Sequence, residues 1–221
     1  VVSGQCAIEG QVTASIDIRK RNLVSNNHSS THLLHAALRK FLGKHVSQKG
    51  SLVNDEKLRF DFSHNEIITP ENIKNIELLV NKIIDEDTLV NTEIHDHKKA
   101  IESGAMALFG EKYGEEVRVV TMGKDQEKIF SIELCGGTHA KTTGSIKKFK
   151  IINQISIASG IRRIEAVTNI QVEKFNQKEL NKASEHKTQT EQEINKYKKN
   201  IKNIDPNKQL FFKEDNIDII L

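Results

Sequence analysis

Four side chains in two short segments have the types and spacing of a metal site. His28 and His32 stand four residues apart in a segment with helical apolar periodicity, so both imidazoles project from one helix face, one turn apart. Cys135 and His139 are also four apart and flank a Gly-Gly turn, whose flexible backbone lets thiolate and imidazole converge. Three imidazoles and one thiolate suit tetrahedral zinc. The spacing predicts a zinc site, and the alternative is unrelated histidines with a small buried cysteine.

Other residues of ligating type have competing interpretations. His35 lies on the same helical stripe and could be a third helical ligand, although a residue at that spacing more often packs at the edge of the core. His95 and His97 flank Asp96, whose position at the start of an expected helix favours capping over metal binding. Cys6 has no partner in the motif and is expected to be structural or exposed.

Composition excludes several classes of protein. The chain has 221 residues, 37% of them hydrophobic and 29% charged, which is too apolar for wholesale disorder. The 33 basic and 30 acidic residues give a net charge of +3, which excludes a histone-like polycation but permits a local basic patch facing RNA. Two cysteines cannot form a disulfide framework, which indicates a cytoplasmic protein. No apolar run is long enough to predict a membrane span.

The two histidines of the first motif need a helix to hold them. Apolar periodicity predicts one over about 28–43, with Asn27 as its N-cap. Before it, alternating apolar and polar residues over 12–18 predict a half-buried strand. Pro70 is expected at the first position of a second helix, where its missing N–H costs nothing.

The rest of the chain to about residue 168 predicts an α+β fold. A third helix is expected over about 96–113, and strands are expected over 58–62, 117–122, 128–134, 146–153 and 161–168. This order predicts helices packed on a mainly antiparallel sheet. From about 172 to 204 the residues are mostly Lys, Glu, Gln and Asn, which predicts a solvated helical extension with a short coiled-coil-like seam.

Six segments in unbroken order resemble the editing domain of alanyl-tRNA synthetases. They cover 27–38, 45–53, 58–62, 104–113, 133–139 and 160–166. The related threonyl-tRNA synthetase editing domain also pairs a His-x-x-x-His helix with a Cys-x-x-x-His turn. Two segments favour the alanyl type: Glu-Leu-Cys-Gly-Gly-Thr-His and Gln-Lys-Gly-Ser-Leu-Val. The resemblance covers about residues 20–168.

The resemblance implies hydrolysis of mischarged tRNA in the second additional domain shared by these synthetases. Its substrates would be tRNA(Ala) carrying serine or glycine, and its zinc would be held by the residues of the two motifs. Gln48 matches a pocket position that could sense the serine hydroxyl, while Arg162 and Arg163 match positions near the bound tRNA end. The parent enzyme ligates alanine to tRNA(Ala) using ATP, and aminoacylation is not expected from this segment alone.

The resemblance also implies a division of the chain and a set of partners. Residues 1–20 would be a remnant of a preceding β-barrel, 21–168 the zinc-binding editing domain, and 169–221 a helical or coiled-coil extension with a truncated tail. Because the first residue is Val1 rather than Met, we expect an excerpt of a longer protein. The expected partners are mischarged tRNA(Ala) and the rest of the synthetase, without a membrane, and dimerisation is left open.

Two other functions compete with the editing segment. One is a non-catalytic tRNA-binding module in which zinc is structural. The other is a freestanding deacylase that edits in trans. The first residue, Val1 rather than Met, argues against this alternative. Hydrolysis of mischarged tRNA by the chain separates the first alternative from catalysis.

Overall fold

The computed structural model describes residues 13–107 and 113–204, with the side chains of 201–204 left aside. Within these residues four α-helices, seven strands and one 3-10 turn follow one another. They are α1 (Ile18–Leu42), β1 (Gln48–Val53), β2 (Leu58–Ser63), α2 (Pro70–Asp85), β3 (Asn91–Asp96), α3 (His97–Glu102), β4 (Glu116–Asp125), β5 (Lys128–Leu134), the 3-10 turn (Thr143–Ile146), β6 (Phe149–Ala158), β7 (Ile161–Thr168) and α4 (Ile170–Ile204). The chain divides into two compact units after Val172.

Helix α1 begins ten residues earlier than the sequence predicts. Asp17 is its N-cap, since the carboxylate accepts a hydrogen bond from the Lys20 backbone N–H at 3.0 Å. The strand predicted over 12–18 is therefore wrong: residues 13–17 have no regular structure, and Val12 lies outside the described residues. Ile16 and Ile18 are about 60% exposed, so the apolar alternation that suggested a strand has no sheet to cover it.

Asn27 is an interior residue of α1 and not its cap, which corrects the second prediction for this region. Its side chain is buried, and its amide donates to the Asn54 carbonyl at 2.8 Å. Its amide oxygen accepts a 2.6 Å hydrogen bond from the Thr168 hydroxyl. Asn27 thus joins α1 to the β1–β2 turn and to the end of β7. A polar residue buried within a helix needs such partners, because an unpaired amide is costly in the interior.

The first sheet has the order β1-β2-β7-β6 with every neighbouring pair antiparallel. Leu58, Phe60 and Phe62 alternate along β2 and are fully buried, as their spacing predicts. Helices α1 and α2 supply the other side of this core, with Leu34 and Val80 among their buried residues. Full burial of each such side chain is worth about 1.5–3 kcal/mol, so this core is the main source of stability for the unit. The arrangement confirms the α+β class.

The second sheet has the order β3-β4-β5, again antiparallel, and its last strand leads into the candidate site. The helix predicted over 96–113 is wrong in length, because α3 ends at Glu102 and is followed by Gly104 at φ +91°, a backbone conformation that ends a helix. Residues 108–112 lie outside the described part. Asp96 caps α3 as expected, accepting from the Lys99 N–H at 3.1 Å.

Helix α4 confirms the predicted helical extension, and its residues from Glu173 form the second unit. Most of its described side chains are exposed, and Tyr197 of the suggested seam is 62% exposed. Coiled-coil pairing stays a prediction, and the tail after 204 lies outside the described residues. Among the helices of the described ranges, none has the length and apolar character needed to cross a membrane.

Replacing Asn27 tests whether its buried amide fastens α1 to the sheet. Asn27→Ala leaves the Asn54 carbonyl and the Thr168 hydroxyl without this partner, so the free energy of unfolding is expected to fall by about 2 kcal/mol in urea titrations. Asn22 lies exposed on the same helix, and Asn22→Ala is expected to change the free energy by less than about 0.5 kcal/mol. Equal effects of the two substitutions would contradict the role given to Asn27.

Candidate metal centre

The structure brings together the four residues of the two sequence motifs. His28 and His32 project from consecutive turns of α1, while Cys135 and His139 flank the turn that follows β5, and the four ligand atoms all lie within 4.8 Å of one another. The Cys135 sulfur is 3.5 Å from His28 Nε2, and His139 Nε2 is 3.1 Å from His32 Nε2. Tetrahedral zinc with bonds of 2.0–2.3 Å would place its donors about 3.3–3.8 Å apart. The donor set and its spacing are therefore compatible with zinc.

Hydrogen bonds of the backbone fasten the turn to its neighbours. The Cys135 N–H donates to the Arg118 carbonyl on β4 at 3.0 Å. The Ala140 N–H, next to His139, donates to the buried Ser29 hydroxyl of α1 at 2.9 Å. The turn is thus held from the sheet side at its beginning and from the helix side at its end. Cysteine and histidine are positioned by different elements but face the same point.

The outer ring nitrogens of the two α1 histidines are occupied, which leaves Nε2 of each directed at the centre. His28 Nδ1 donates to the Thr138 carbonyl at 3.0 Å, an acceptor that requires a proton on Nδ1. His32 Nδ1 lies 2.7 Å from the Glu133 carboxylate, which also favours a proton there. With Nδ1 engaged in this way, Nε2 is the nitrogen of each ring that remains available to bind a metal ion. This tautomer assignment supports the fit to a metal ion.

Glu133 also belongs to the site, although the sequence pattern alone predicted no role for it. It is 2% exposed, and its second oxygen accepts from His35 Nδ1 at 3.0 Å. His35 is therefore not a third helical ligand. It packs on Phe60 and stands behind His32 on the far side of the carboxylate. Alternation along β5 could have indicated Glu133, because residues 133 and 135 point to the same face of the strand.

The electrostatics of the centre favour a thiolate. Burial raises the pKa of the Cys135 thiol, but hydrogen bonds from His139, His28 and His32 outweigh it and lower the pKa to about 3. Burial likewise raises the pKa of Glu133, and the charge and hydrogen bond of His32 more than reverse this effect. Burial lowers the pKa of His32, while Glu133 and the Cys135 sulfur raise it above its ordinary value.

A pocket of about 440 Å³ opens beside the centre. It is lined by His28, Thr31, His32, Gln48, Ser51, Cys135, Gly136 and Gly137. Gln48 and Ser51 come from β1, a strand that the sequence analysis did not predict because its residues are mostly polar. The structure thus places the Gln48 side chain at the same pocket as three of the four candidate ligands. A pocket of this size with several polar side chains can hold a small polar molecule.

The two arginines singled out from the sequence have different surroundings. The Arg163 guanidinium donates two hydrogen bonds to the Asp61 carboxylate, at 2.7 and 2.8 Å, so its charge is already paired. The Arg162 Nε is buried without an acceptor among the described residues. Arg162 faces the same side of the sheet as its partner Phe62 on β2, whereas Arg163 lies on the opposite side.

The weaker metal candidates have ordinary partners. His95 lies 2.9 Å from the exposed Glu93 carboxylate, and His97 stacks on Tyr113. With Asp96 used as a helix cap, these residues do not form a group of metal ligands in the described structure. Cys6 lies outside the described residues.

Gly137 is required by the close approach of the turn to α1. A Cβ built on Gly137 would lie 2.2 Å from His28 Cε1, whereas one built on Gly136 would meet nothing within 4 Å. Of the two adjacent glycines, only Gly137 therefore makes space for a ligand ring.

The chain is similar to known proteins over most of its length. Residues 117–165 match the threonyl and alanyl tRNA synthetase second additional domain. Over 168 residues, 76% of the chain, it is 54% identical to an alanine–tRNA ligase of Pseudomonas entomophila and 56% identical to one of Haemophilus influenzae. The chain spans about a fifth of each of these relatives, since the aligned part is 19% of their length.

The adjacent glycines provide a matched test of the metal centre. Gly137→Ala is expected to push the His28 ring out of the centre and to lower zinc affinity at least about tenfold, because one of four ligands is displaced. Gly136→Ala is expected to leave affinity unchanged. Zinc affinity is measured by competition with a chelator, and circular dichroism checks that both variants are folded. Equal affinities for the two variants would refute the close approach.

Glu133 is expected to support zinc binding through His32. Glu133→Gln removes the charge that orients this ring, and zinc affinity should fall about 10- to 100-fold. Glu93→Gln is the control, because it alters another glutamate–histidine contact outside the centre. Unfolding in urea without zinc separates loss of affinity from loss of fold. A Glu133→Gln chain that is folded and binds zinc as tightly as the original would rule out this role.

Proposed function

The chain belongs over its aligned residues to the alanyl-tRNA synthetase family, and on that premise we propose that it is the editing part of such an enzyme. It hydrolyses the ester that joins serine or glycine to tRNA(Ala). The observation that carries this proposal is the polar pocket beside the cluster of His28, His32, Cys135 and His139. A tRNA-binding domain without an enzymatic task has no need for a pocket against its metal ligands.

The chemical need for editing follows from the limits of amino acid selection. A pocket that accepts alanine cannot strongly reject glycine, which is smaller by one methyl group, and it cannot fully exclude serine, which adds one hydroxyl. A second site that hydrolyses the wrong products restores accuracy. Such a site cannot reject alanine by size alone, because the side chain of serine is larger, so it must recognise the serine hydroxyl that alanine lacks.

Gln48 is the residue best placed to read a serine hydroxyl. Its amide lines the pocket and has both donor and acceptor groups, and no hydrogen-bond partner of its side chain is found among the described residues. The Thr31 hydroxyl also lines the pocket, but it donates to the Asn27 carbonyl at 2.9 Å and so offers mainly its acceptor lone pairs. Together these groups can orient a small polar amino acid and a water molecule near its ester.

The four ligands assign a positioning role to the metal. A zinc ion bound by all four would supply positive charge that orients the substrate, because a tetrahedral shell filled by protein ligands leaves no open position for a water. The chain's own polar groups at the pocket must then place the attacking water. His28, with its ring at the pocket wall and its Nδ1 held by Thr138, keeps the ligand cluster fixed during this step.

The remaining activities belong to the proposed parent enzyme. Ligation of alanine to tRNA(Ala) with ATP would require parts of the relatives that this chain does not match. The partners proposed for the chain are mischarged tRNA(Ala) and the rest of the synthetase, in the cytoplasm where translation takes place.

Hydrolysis of charged tRNA by the zinc-loaded chain tests the proposal. We expect release of serine and glycine from tRNA(Ala), with alanyl-tRNA(Ala) left intact. Cys135→Ala should abolish release, because the cluster loses its thiolate ligand, and zinc content and circular dichroism are measured alongside. A folded, zinc-loaded chain that binds tRNA but releases neither amino acid would instead establish the non-catalytic module with a structural zinc.

Gln48→Ala tests, in the same assay, whether the Gln48 side chain recognises the serine hydroxyl. Serine release is expected to slow about tenfold, equivalent to about 1.4 kcal/mol, while glycine release changes little. Gln154→Ala is the matched control, because this glutamine donates to the Ile68 carbonyl at 3.1 Å and does not line the pocket. Unchanged rates for both substrates in Gln48→Ala would remove Gln48 from the site.

A further inference from the structure

A groove borders the ligand-bearing turn where Arg21, Arg118 and Lys141 stand close to it. One part, of about 420 Å³, lies between α1, the second sheet and the turn, and a second part of about 640 Å³ continues along the start of α1. The two parts share five lining residues: Arg21, Thr138, His139, Ala140 and Lys141. The shared residues make them one continuous surface, called the basic groove below.

The cations of the basic groove have no anionic partners in the described structure. The Arg118 guanidinium donates to the Gly136 carbonyl at 3.0 Å, and that of Arg21 donates to the Thr138 hydroxyl at 3.4 Å. Lys141 is exposed, and neither it nor the two arginines forms an ion pair with a described carboxylate. No acidic side chain is found among the lining residues of either part. The two arginines therefore hold the turn through neutral acceptors and keep their full charge.

Three cations on or next to the first sheet have the opposite arrangement. Arg163 is paired with Asp61, and Lys150 donates to Glu77 at 3.0 Å. Lys57 is likewise paired with Glu165. The charges of these three residues are neutralised locally, whereas those at the turn are not. With a net charge of only +3 over the whole chain, three uncompensated cations around one turn form a marked local positive potential.

We propose that the basic groove binds the phosphates of the single-stranded 3′ end of an RNA whose terminal ester enters the pocket. This inference rests on the proposed function for the identity of the ester, and on the unpaired cations for the choice of groove. The Gly136–Gly137 segment lines both the pocket and the first part of the groove, so a strand lying in the groove reaches the pocket over this short turn.

The lining of the groove indicates how it recognises RNA. Among its described lining residues there is no Phe, Tyr or Trp, and the ring of His139 belongs to the candidate ligand cluster, so base stacking on aromatic rings does not dominate binding there. The polar groups near the cations are the Thr138 hydroxyl and the amides of Asn22 and Asn26, which suit phosphate and sugar oxygens. Binding is therefore governed by charge and largely independent of base sequence.

Binding of an uncharged RNA oligonucleotide measures the groove separately from hydrolysis. The probe is a fluorescent single-stranded RNA of eight nucleotides, titrated with the zinc-loaded chain at several salt concentrations. Lys141→Gln and Arg21→Gln are each expected to weaken binding about 3- to 10-fold at low salt. Each should also reduce the slope of log affinity against log salt by about 0.7, the contribution of one phosphate contact to a single strand.

Lys74→Gln is the matched control, because Lys74 is an exposed lysine of α2 outside the groove and its loss changes the net charge equally. It should leave both the affinity and the slope unchanged. Equal weakening by Lys74→Gln, unaltered binding in the two groove variants, or no RNA binding at all would each overturn the proposal. Circular dichroism confirms that the variants are folded.

Hydrolysis of the charged RNA separates this inference from the proposed function. Groove variants are expected to raise KM severalfold at unchanged kcat, because the cations hold the strand and do not touch the ester. Hydrolysis that continues with unchanged KM in the groove variants refutes the groove and leaves the editing function standing. Groove-dependent binding without hydrolysis supports the groove as an RNA site and refutes the editing function.

Discussion

The candidate metal centre depends on the hydrogen bonds that the Glu133 carboxylate accepts from His32 and His35. The carboxylate is buried between His32 and His35 and receives a hydrogen bond from each ring, so two residues of α1 are tied to one residue of β5. A buried carboxylate is tolerated only with such partners, because an isolated charge in the interior is very costly. The same bonds direct His32 Nε2 away from Glu133 and towards Cys135 and His139. Stability of the packing between helix and sheet and orientation of a ligand therefore come from one group.

Sequence alone indicated the four candidate ligands because each pair is local. Spacing of four on a helix and across a Gly-Gly turn is visible without knowing the fold, and the strand before Cys135 showed regular alternation. The contacts that support the ligands are long-range and could not be read in this way. Asn27 resembled a helix cap because Asn is common at caps, yet its partners, Asn54 and Thr168, lie in other elements. Gln48 came only from the resemblance, since its polar strand lacks the apolar alternation that identifies half-buried strands.

The error at the start of α1 has a physical origin. The residues before His28 form a helix although they are polar, because Ser25, Asn26 and Asn27 are buried against other parts of the fold and satisfied by hydrogen bonds. The periodicity of apolar residues identifies a buried helix face only where the buried side chains are apolar. It does not detect a face whose buried side chains are polar. A site that must hold histidines, a glutamate and a polar substrate needs a polar interior around it. The residues of α1 just before His28 are therefore the part whose helical character the apolar pattern hides.

The turn between Cys135 and His139 joins the two surfaces that the proposed activity requires. Gly137 allows the turn to lie against the His28 ring, and Thr138 accepts from that ring while its hydroxyl accepts from Arg21. Arg118 holds the Gly136 carbonyl, and the Cys135 N–H holds the Arg118 carbonyl. Each cation of the groove that touches the turn thus contacts a residue next to the ligand cluster. The five residues from Cys135 to His139 therefore carry two candidate ligands of the centre and, at the same time, border the basic groove.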